Sequence, residues 1–220
     1  MRRALAPLAV AALLSGSGPA PAGEGAPASV ATALVVSVDV SQSVDDTRFR
    51  LQMEGIAEAL EDPGVVAAIT GNPGGILFTM VTWADKAGVP VPWRRIASRA
   101  EAAAVAAQVR ATPRQAGEFT CIGQMFRTVT GSVIPAMPSP ADRIVVDVSG
   151  DGIDNCTDPD AMEAERADLL ALGATINGLP ILVPGETDVV GAGAYRAPGY
   201  GDFSRAMRRK FVIEISALGR

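Results

Sequence analysis

The sequence contains no histidine. A chain without histidine cannot build a Ser-His-Asp or Cys-His catalytic centre, cannot use imidazole as a general acid or base, and cannot ligate zinc through imidazole. Histidine-dependent hydrolases and histidine-ligated zinc enzymes are therefore excluded as functions of this chain.

Cysteine is scarce, and long basic runs are missing. Cys121 and Cys156 are the two cysteines, and their spacing matches no zinc or redox motif. No basic run is long enough to indicate nucleic-acid binding, so no nucleic-acid partner is predicted. A small basic cluster is interpreted as the solvated face of a helix; it comprises Arg205, Arg208, Arg209 and Lys210.

The first 22 residues have the pattern of a secretory signal peptide. Arg2 and Arg3 precede a short apolar stretch, and Ala20-Pro21-Ala22 resembles an A-x-A cleavage site. The apolar stretch is too short for a permanent membrane span. We therefore predict an exported protein, periplasmic or secreted, with a signal peptide at 1–22, a flexible tail at 23–32 and one folded domain at 33–217.

Acidic side chains outnumber basic ones in the mature chain. Removing the leader takes two arginines from the 19 basic side chains and nothing from the 24 acidic ones, so the formal charge becomes 17 − 24 = −7. The apolar fraction of 48% is that of a globular protein, and the length suits one domain.

The most informative stretch runs from Leu34 to Ser43 and reads LVVSVDVSQS. Its apolar first half is typical of a buried parallel strand, and Asp39, Ser41 and Ser43 come where that strand ends. Ligand sites in open α/β sheets lie at the carboxyl ends of strands. One carboxylate and two hydroxyls are hard oxygen donors that suit Mg²⁺. From these residues alone, a metal site and an ordinary turn with a helix cap are equally good interpretations.

Two later segments point to the same edge of the sheet. Arg143–Ser149 is a second Val-rich strand, and it runs into an acidic turn that contains Asp151. Thr120 follows a long polar loop and opens a predicted helix. We therefore expect Thr120 and Asp151 to approach the Asp39 loop.

Strands alternate with helices along the predicted domain. This alternation predicts an α/β fold with right-handed crossovers: a doubly wound, mostly parallel sheet with helices on both faces. Val89–Trp93 contains two prolines, which fit only a sheet edge, so it is predicted as the antiparallel edge strand of a hairpin with Ile76–Trp83. Ser43 is predicted to cap the first helix, and Phe211–Ile215 is predicted as the last strand.

These residues and this element order resemble the von Willebrand factor A (vWA) domain and its metal-ion-dependent adhesion site. That family uses Asp-x-Ser-x-Ser, a distant Thr and a distant Asp in the same chain order, and the resemblance extends from about Ala33 to Ile215. The segment VSGDG at 148–152 is similar to a bacterial exported subgroup of such domains whose function is unknown. The resemblance implies a vWA-like, Rossmann-like domain.

The resemblance also implies a role for each site residue. Ser41 and Ser43 would bind a divalent cation directly, and Thr120 would join them when a ligand is engaged. Asp39 and Asp151 would act mostly through bound water. The implied ion is Mg²⁺, with Mn²⁺ or Ca²⁺ as alternatives. With few direct anionic ligands the ion stays electrophilic, so an Asp or Glu carboxylate of a protein partner can complete its coordination.

Four neighbouring residues are assigned other roles. Gly150 stands where the family often has Thr or Ser, which is expected to loosen the surroundings of the ligands without removing one. Asp147 lies inside its strand and is interpreted as structural or edge-exposed, not as a ligand. Asp154 and Asp158 are interpreted as solvated loop acids on the rim.

A disulfide beside the metal site follows from the implied ligand positions. Cys121 directly follows Thr120, and Cys156 lies five residues after Asp151. If both ligands approach one ion, the two cysteines reach the same rim, and a bridge requires Cα atoms within about 7 Å. An even cysteine count in an exported chain favours pairing, so we predict a Cys121–Cys156 bridge.

Three functions were weighed; we predict the first, with no enzymatic activity, and keep the other two as alternatives. The first is an exported vWA-like binding module that engages an acidic group of a protein partner through Mg²⁺. The second is a metal-dependent hydrolase, although such chemistry usually needs several direct carboxylates and a base. The third is a structural domain with a silent metal site. The oligomeric state is not predicted.

Overall fold

The computed structural model describes residues 29–115, 117–182, 197 and 199–216. The predicted signal peptide, most of the predicted tail and most of the Gly-rich segment 184–201 lie outside these residues. Within the described part of the chain, no helix combines the length and the apolar character that a membrane span requires.

A sheet of five strands forms the centre of the described part of the domain. The strands are β1 (Val30–Asp39), β2 (Ile76–Trp83), β3 (Ala87–Ile96), β4 (Ala141–Gly150) and β5 (Ala174–Pro180). They lie in the order β3-β2-β1-β4-β5. β1 is parallel to both β2 and β4, β4 is parallel to β5, and β2 and β3 are antiparallel. The predicted mostly parallel sheet with one antiparallel edge strand is therefore confirmed.

Among the described residues, six α-helices cover the two faces of this sheet. The helices are α1 (Asp46–Glu61), α2 (Pro63–Thr70), α3 (Arg99–Arg110), α4 (Ile122–Thr128), α5 (Pro159–Ala171) and α6 (Phe203–Ile215). Helices α1, α2, α3 and α6 pack on one face over an apolar cluster that includes Leu34, Val36 and Val38 of β1. Helices α4 and α5 pack on the other face over a cluster that includes Val35 and Val146.

The strand register brings three chain segments to one edge. Val38 of β1 lies beside Thr82 of β2 on one side and Ser149 of β4 on the other. The chain therefore leaves β1 after Asp39 at the same level where it leaves β4 just before Asp151. Because β1 is central, its carboxyl end lies between two neighbouring strand ends, where α/β sheets place their ligands.

The final predicted strand, Phe211–Ile215, is wrong. These residues form the last part of α6, whose buried residues recur at helical spacing: Phe203, Ala206, Met207, Lys210, Phe211, Glu214 and Ile215. A short apolar run fits a strand and a buried helix equally well, and the spacing over the longer segment decides between them. The sheet accordingly ends with β5.

The amino-terminal boundary also differs from the prediction. β1 begins at Val30, so it includes three residues that the sequence analysis assigns to the flexible tail. The Val30 side chain is buried, and its backbone N–H donates to the Pro140 carbonyl at 3.0 Å. Apolar burial and this hydrogen bond extend the strand to Val30.

Candidate metal centre

Asp39 ends β1 and begins the loop that carries the two candidate serines. Its Oδ1 accepts a hydrogen bond from the Ser41 backbone N–H at 2.8 Å, which tightens the loop. The Val40 N–H donates to the Trp83 carbonyl at 2.9 Å, so the chain stays attached to β2 until the loop turns. These two hydrogen bonds from backbone N–H groups therefore fix the loop, and the serine hydroxyls are available for other bonds.

Asp45, and not Ser43, caps α1. Asp45 Oδ1 accepts hydrogen bonds from the backbone N–H groups of Thr47 and Arg48, each at 2.8 Å. The predicted Ser43 cap is therefore wrong, because α1 begins two residues later than expected and an Asp serves equally well as a cap. The Ser43 hydroxyl is consequently directed to the site.

The five predicted site side chains come together at this edge. Thr120 Oγ1 donates to Ser41 Oγ at 3.2 Å, and the hydroxyls of Ser41 and Ser43 are 3.3 Å apart. Ser43 Oγ donates to Asp151 Oδ1 at 2.6 Å. Asp39 joins the group through its bond to Ser41. Of these residues only Ser43 is half-buried; the others are almost fully buried. The structure thus gathers two carboxylates and three hydroxyls in one small volume.

The loop that carries Thr120 is tied to the loop after Asp151. Thr120 N–H donates to Asn155 Oδ1 at 2.8 Å, and Asn155 N–H donates to the Thr120 carbonyl at 3.0 Å. Cys121 and Cys156 form the predicted disulfide, with Cα atoms 5.3 Å apart. Two hydrogen bonds and one covalent bond therefore hold the Thr120 hydroxyl in position.

Asp39 carries an unpartnered oxygen. Its Oδ2 is buried and accepts no hydrogen bond from the described residues. Burial raises the pKa of Asp39 to about 7, and the nearby Asp151 carboxylate adds to this, although the hydrogen bonds from Ser41 oppose it. A buried carboxylate oxygen without a partner is costly, and beside the gathered hydroxyls this atom is able to contact a cation or its bound water.

Gly150 makes room for that carboxylate. A Cβ atom at position 150 would lie 2.9 Å from Asp39 Oδ2, closer than real Cβ atoms approach, and a tight 3.1 Å from Asp39 Cβ. The Thr or Ser that the resembling family often has at this point would therefore require the Asp39 side chain to shift. The departure at Gly150 therefore has a steric reason: the Asp39 side chain takes the space.

Sequence reasoning missed two residues that contact Asp151. The Tyr200 hydroxyl donates to Asp151 Oδ2 at 2.6 Å, and Arg48 Nη1 lies 3.3 Å from the same oxygen. Burial raises the pKa of Tyr200, and its bond to the Asp151 carboxylate raises it further. Arg48 follows Ser43 by five residues, so its closeness to the loop could have been predicted from the sequence. Tyr200 lies 49 residues beyond Asp151, and no sequence signal marks it.

The acids that were assigned other roles organise the surrounding structure. Asp147 is buried and paired with Lys210, so it is structural, as predicted, but not edge-exposed. Asp154 accepts backbone N–H bonds from Gly123, Cys156 and Thr157, so it is not merely a solvated acid. Asp158 is exposed, as predicted, and also caps α5.

The donor set at this edge is dominated by hydroxyls. Among the described residues, no three His, Cys, Asp or Glu side chains are grouped where they could hold a metal ion. The gathered oxygens instead belong to two carboxylates and three hydroxyls, which are hard donors of the kind that Mg²⁺ and Ca²⁺ accept. Together with the unpartnered Asp39 oxygen, this set fits a hard divalent cation.

Comparison with known families decides where the chain belongs. A family model described as "Protein of unknown function (DUF1194)" matches residues 29–219. The chain belongs to that family. No curated protein matches the sequence.

Solved structures show which fold this DUF1194 chain shares. One similar structure is proximal thread matrix protein 1 from the mussel byssus, solved with a zinc-occupied MIDAS motif. Its TM-score is 0.65 at 17% identity, and the match covers 84% of this chain and 48% of the mussel chain. A von Willebrand factor type A structure from Catenulispora acidiphila has a TM-score of 0.59 at 16% identity, covering 84% of this chain and 43% of its own. The pilus adhesin SpaC from Lactobacillus rhamnosus GG has a TM-score of 0.62 at 11% identity. The match covers 84% of this chain and 30% of the adhesin chain.

These likenesses establish a vWA-like fold for the DUF1194 chain. The chain spans about half the length of the mussel structures that it matches, or less for the other two. At these identities the likeness concerns the fold alone, so the site must be argued from this chain's own residues.

Proposed function

We propose that this chain is an exported binding module that holds a divalent cation beside β1 and β4 and uses it to grip an acidic side chain of a protein partner. One observation carries this proposal: two buried carboxylates and three hydroxyls converge at the carboxyl edge of the sheet, and Asp39 Oδ2 has no partner among the described residues. The vWA-like fold, which a matrix protein and an adhesin share, supports a role in protein interaction.

Each gathered side chain has a role in this proposal. Ser41 and Ser43 bind the cation directly, Thr120 joins when the partner is engaged, and Asp39 and Asp151 hold it mostly through water. Mg²⁺ is the expected ion, with Mn²⁺ and Ca²⁺ as alternatives. When bound, the cation supplies an electrophilic position for a carboxylate oxygen. A divalent ion is supported by the zinc-occupied MIDAS motif of the mussel protein.

Calorimetric titration with Mg²⁺ and Mn²⁺ tests the metal site. We expect Asp39→Ala and Ser41→Ala each to abolish binding while the circular dichroism spectrum stays native. Thr70→Ala is the matched control, because it also removes a hydroxyl but lies at the end of α2, where its bond is to the Val66 carbonyl. Unchanged affinity in both site variants would refute the metal site.

A partner search tests the second half of the proposal. The mature protein, immobilised on beads, is incubated with periplasmic extract in Mg²⁺ or in chelator. We expect a partner that is retained in Mg²⁺, released by chelator and absent from beads that carry Asp39→Ala. A partner retained equally under all three conditions would contradict metal-mediated gripping.

A further inference from the structure

Arg48 places a positive charge at the edge of the candidate metal centre. Its Nη1 donates to the Ser43 carbonyl at 2.6 Å and to Asp151 Oδ2 at 3.3 Å. The guanidinium lies over the Tyr200 ring, 5.3 Å from its centroid, and the side chain is 30% exposed. Arg48 therefore touches the site from one side and solvent from the other.

The guanidinium keeps donors available on its outer side. Nη1 makes both of the side-chain hydrogen bonds that Arg48 forms with the described residues. Nε and Nη2 make none with that part of the chain, and an arginine can donate five N–H bonds in a planar fork. Such a fork matches the two oxygens of a carboxylate.

Tyr200 fixes the orientation of this fork. The ring supports the guanidinium by a cation–π contact, and the hydroxyl holds the same Asp151 oxygen that Arg48 approaches. A guanidinium that is already oriented loses less conformational freedom when it binds a ligand. Arg48 is thus arranged for binding before a ligand arrives.

The charge of Arg48 has opposite effects on the two species that the site is proposed to bind. A cation shares Asp151 with the guanidinium, and like charges around one carboxylate oppose each other. An incoming carboxylate is attracted by both positive groups, and a charge-assisted hydrogen bond adds to the attraction.

We propose that Arg48 is a second carboxylate-binding group of the site, which weakens binding of the bare cation and strengthens binding of the cation together with a carboxylate. Cation and carboxylate then bind cooperatively, because the carboxylate relieves the repulsion between the two positive groups. This inference rests on the proposed function and adds the residue that makes the site selective for a carboxylate over water.

The test measures Mn²⁺ affinity by electron paramagnetic resonance, with chloride or acetate as the anion. Acetate is the probe, since it is the simplest carboxylate. For the wild type we expect acetate to raise Mn²⁺ affinity. For Arg48→Gln we expect Mn²⁺ in chloride to bind about three- to tenfold more tightly, and the acetate enhancement to disappear, because a partly exposed charge has been removed.

Two further variants separate charge from positioning. Arg48→Lys keeps the charge but not the fork, so Mn²⁺ affinity in chloride should stay at the wild-type value while the acetate enhancement falls. Tyr200→Phe keeps the ring and removes only the hydroxyl, so it should not tighten Mn²⁺ binding. A gain in Mn²⁺ affinity specific to the loss of the Arg48 charge is the result that a merely structural role cannot produce.

The outcomes distinguish this inference from the proposed function. If neither the wild type nor any variant binds Mn²⁺, the proposed metal site is wrong, and this inference is wrong with it. If the wild type binds Mn²⁺ but Arg48→Gln binds it equally or more weakly, Arg48 only positions Asp151. If acetate enhances binding equally in the wild type and in Arg48→Gln, Arg48 is not a carboxylate-binding group.

Discussion

Two acidic clusters are buried within the described part of the chain, and they differ in the cation that contacts them. The interior cluster, Asp147 and Glu214 with Lys210, lies between β4 and α6. Lys210 Nζ bonds both carboxylates, with a separation of 2.8 Å to Glu214 Oε1. The edge cluster is the group of five candidate ligand side chains around Asp39 and Asp151. Among the described residues, the cation that contacts this cluster's carboxylates is Arg48, which is partly exposed. Lys210 supplies the interior cluster with a buried counter-charge, whereas Asp39 of the edge cluster contacts no cation among the described residues.

The pKa shifts of the acids are alike in the two clusters, and the clusters differ in their cation. Burial raises the pKa of Asp147 and of Glu214, as it does that of Asp39. Burial by itself would lower the pKa of Lys210, but the Asp147 and Glu214 carboxylates raise it overall, so the amine stays charged. At the edge, burial raises the pKa of Asp39 to about 7, and the described residues provide no contacting cation to offset this. Burial and a raised pKa therefore do not by themselves distinguish Asp39 from the interior acids; the missing counter-charge does.

Removing the interior cation should have the largest effect. Lys210→Met leaves two buried carboxylates without their amine, and breaking a buried ion pair from one side costs about 3–5 kcal/mol. We expect a loss of that size in urea unfolding of the mature protein. The neighbouring Arg209→Met is the control, since Arg209 is exposed and its loss should cost less than about 0.5 kcal/mol. A loss below about 1 kcal/mol for Lys210→Met would contradict the comparison.

The stability of the edge cluster should depend on the Cys121–Cys156 disulfide. The disulfide closes a loop with a sequence separation of 35 residues, for which chain entropy predicts roughly 2–4 kcal/mol of stabilisation. The double variant Cys121→Ser/Cys156→Ser should lose this amount in urea unfolding and bind Mn²⁺ more weakly, because Thr120 is less well held. Free-thiol titration of the unfolded, unreduced wild type should find no thiols; two thiols per chain would show that the bridge does not form.

Neutralising Asp39 should stabilise the metal-free protein. Asp39→Asn removes an ionised, unpartnered oxygen, so we expect a gain of about 2 kcal/mol in chelator at pH 8, above the Asp39 pKa of about 7. Added Mn²⁺ should raise the melting temperature of the wild type but not of the variant. Asp154→Asn is the contrasting control, since Asp154 accepts three backbone bonds and its loss should destabilise. Destabilisation by Asp39→Asn would show that the edge carboxylate is already compensated.

The most gradual effect concerns pH and the interior cluster. Burial first, and then the Asp147 charge, raises the pKa of Glu214 to about 7 from 4.5. Between these values the native state holds the proton that the unfolded state has released, so this group's contribution to stability falls as pH rises from about 4.5 to 7. Relative to Glu214→Gln, the wild type should lose roughly 1 kcal/mol per pH unit across this window in urea unfolding. A difference that is flat or rises with pH would contradict the assignment.

The candidate site was largely predictable because its residues follow strands. Asp39, Ser41, Ser43 and Asp151 come directly after two Val-rich segments, and parallel strands bring such positions to one edge. The exact surroundings were not predictable in this way. Tyr200 reaches Asp151 from a segment far along the chain, and only tertiary packing brings it there.

The carboxyl-terminal helix shows why local patterns mislead. Phe211–Ile215 is short and largely apolar, and taken alone its pattern fits a strand as well as a helix. Lys210 was interpreted as part of a solvated helix face, but it is buried with two partners, Glu214 on the same helix and Asp147 on β4. Lysine is rarely buried without a partner, and the Asp147 partner is distant in the sequence. Sequence reasoning is weakest where a charge is compensated across the fold.

The two exposed prolines of β3 have a consequence for how the molecule meets others. Pro90 and Pro92 lack the backbone N–H groups that a newly added strand would need on this edge of the sheet. A second chain therefore cannot extend the sheet here by continuous backbone pairing, as happens in strand exchange and in fibril growth. Contacts at this edge must be made through side chains, which leaves the chain resistant to self-templated aggregation at β3.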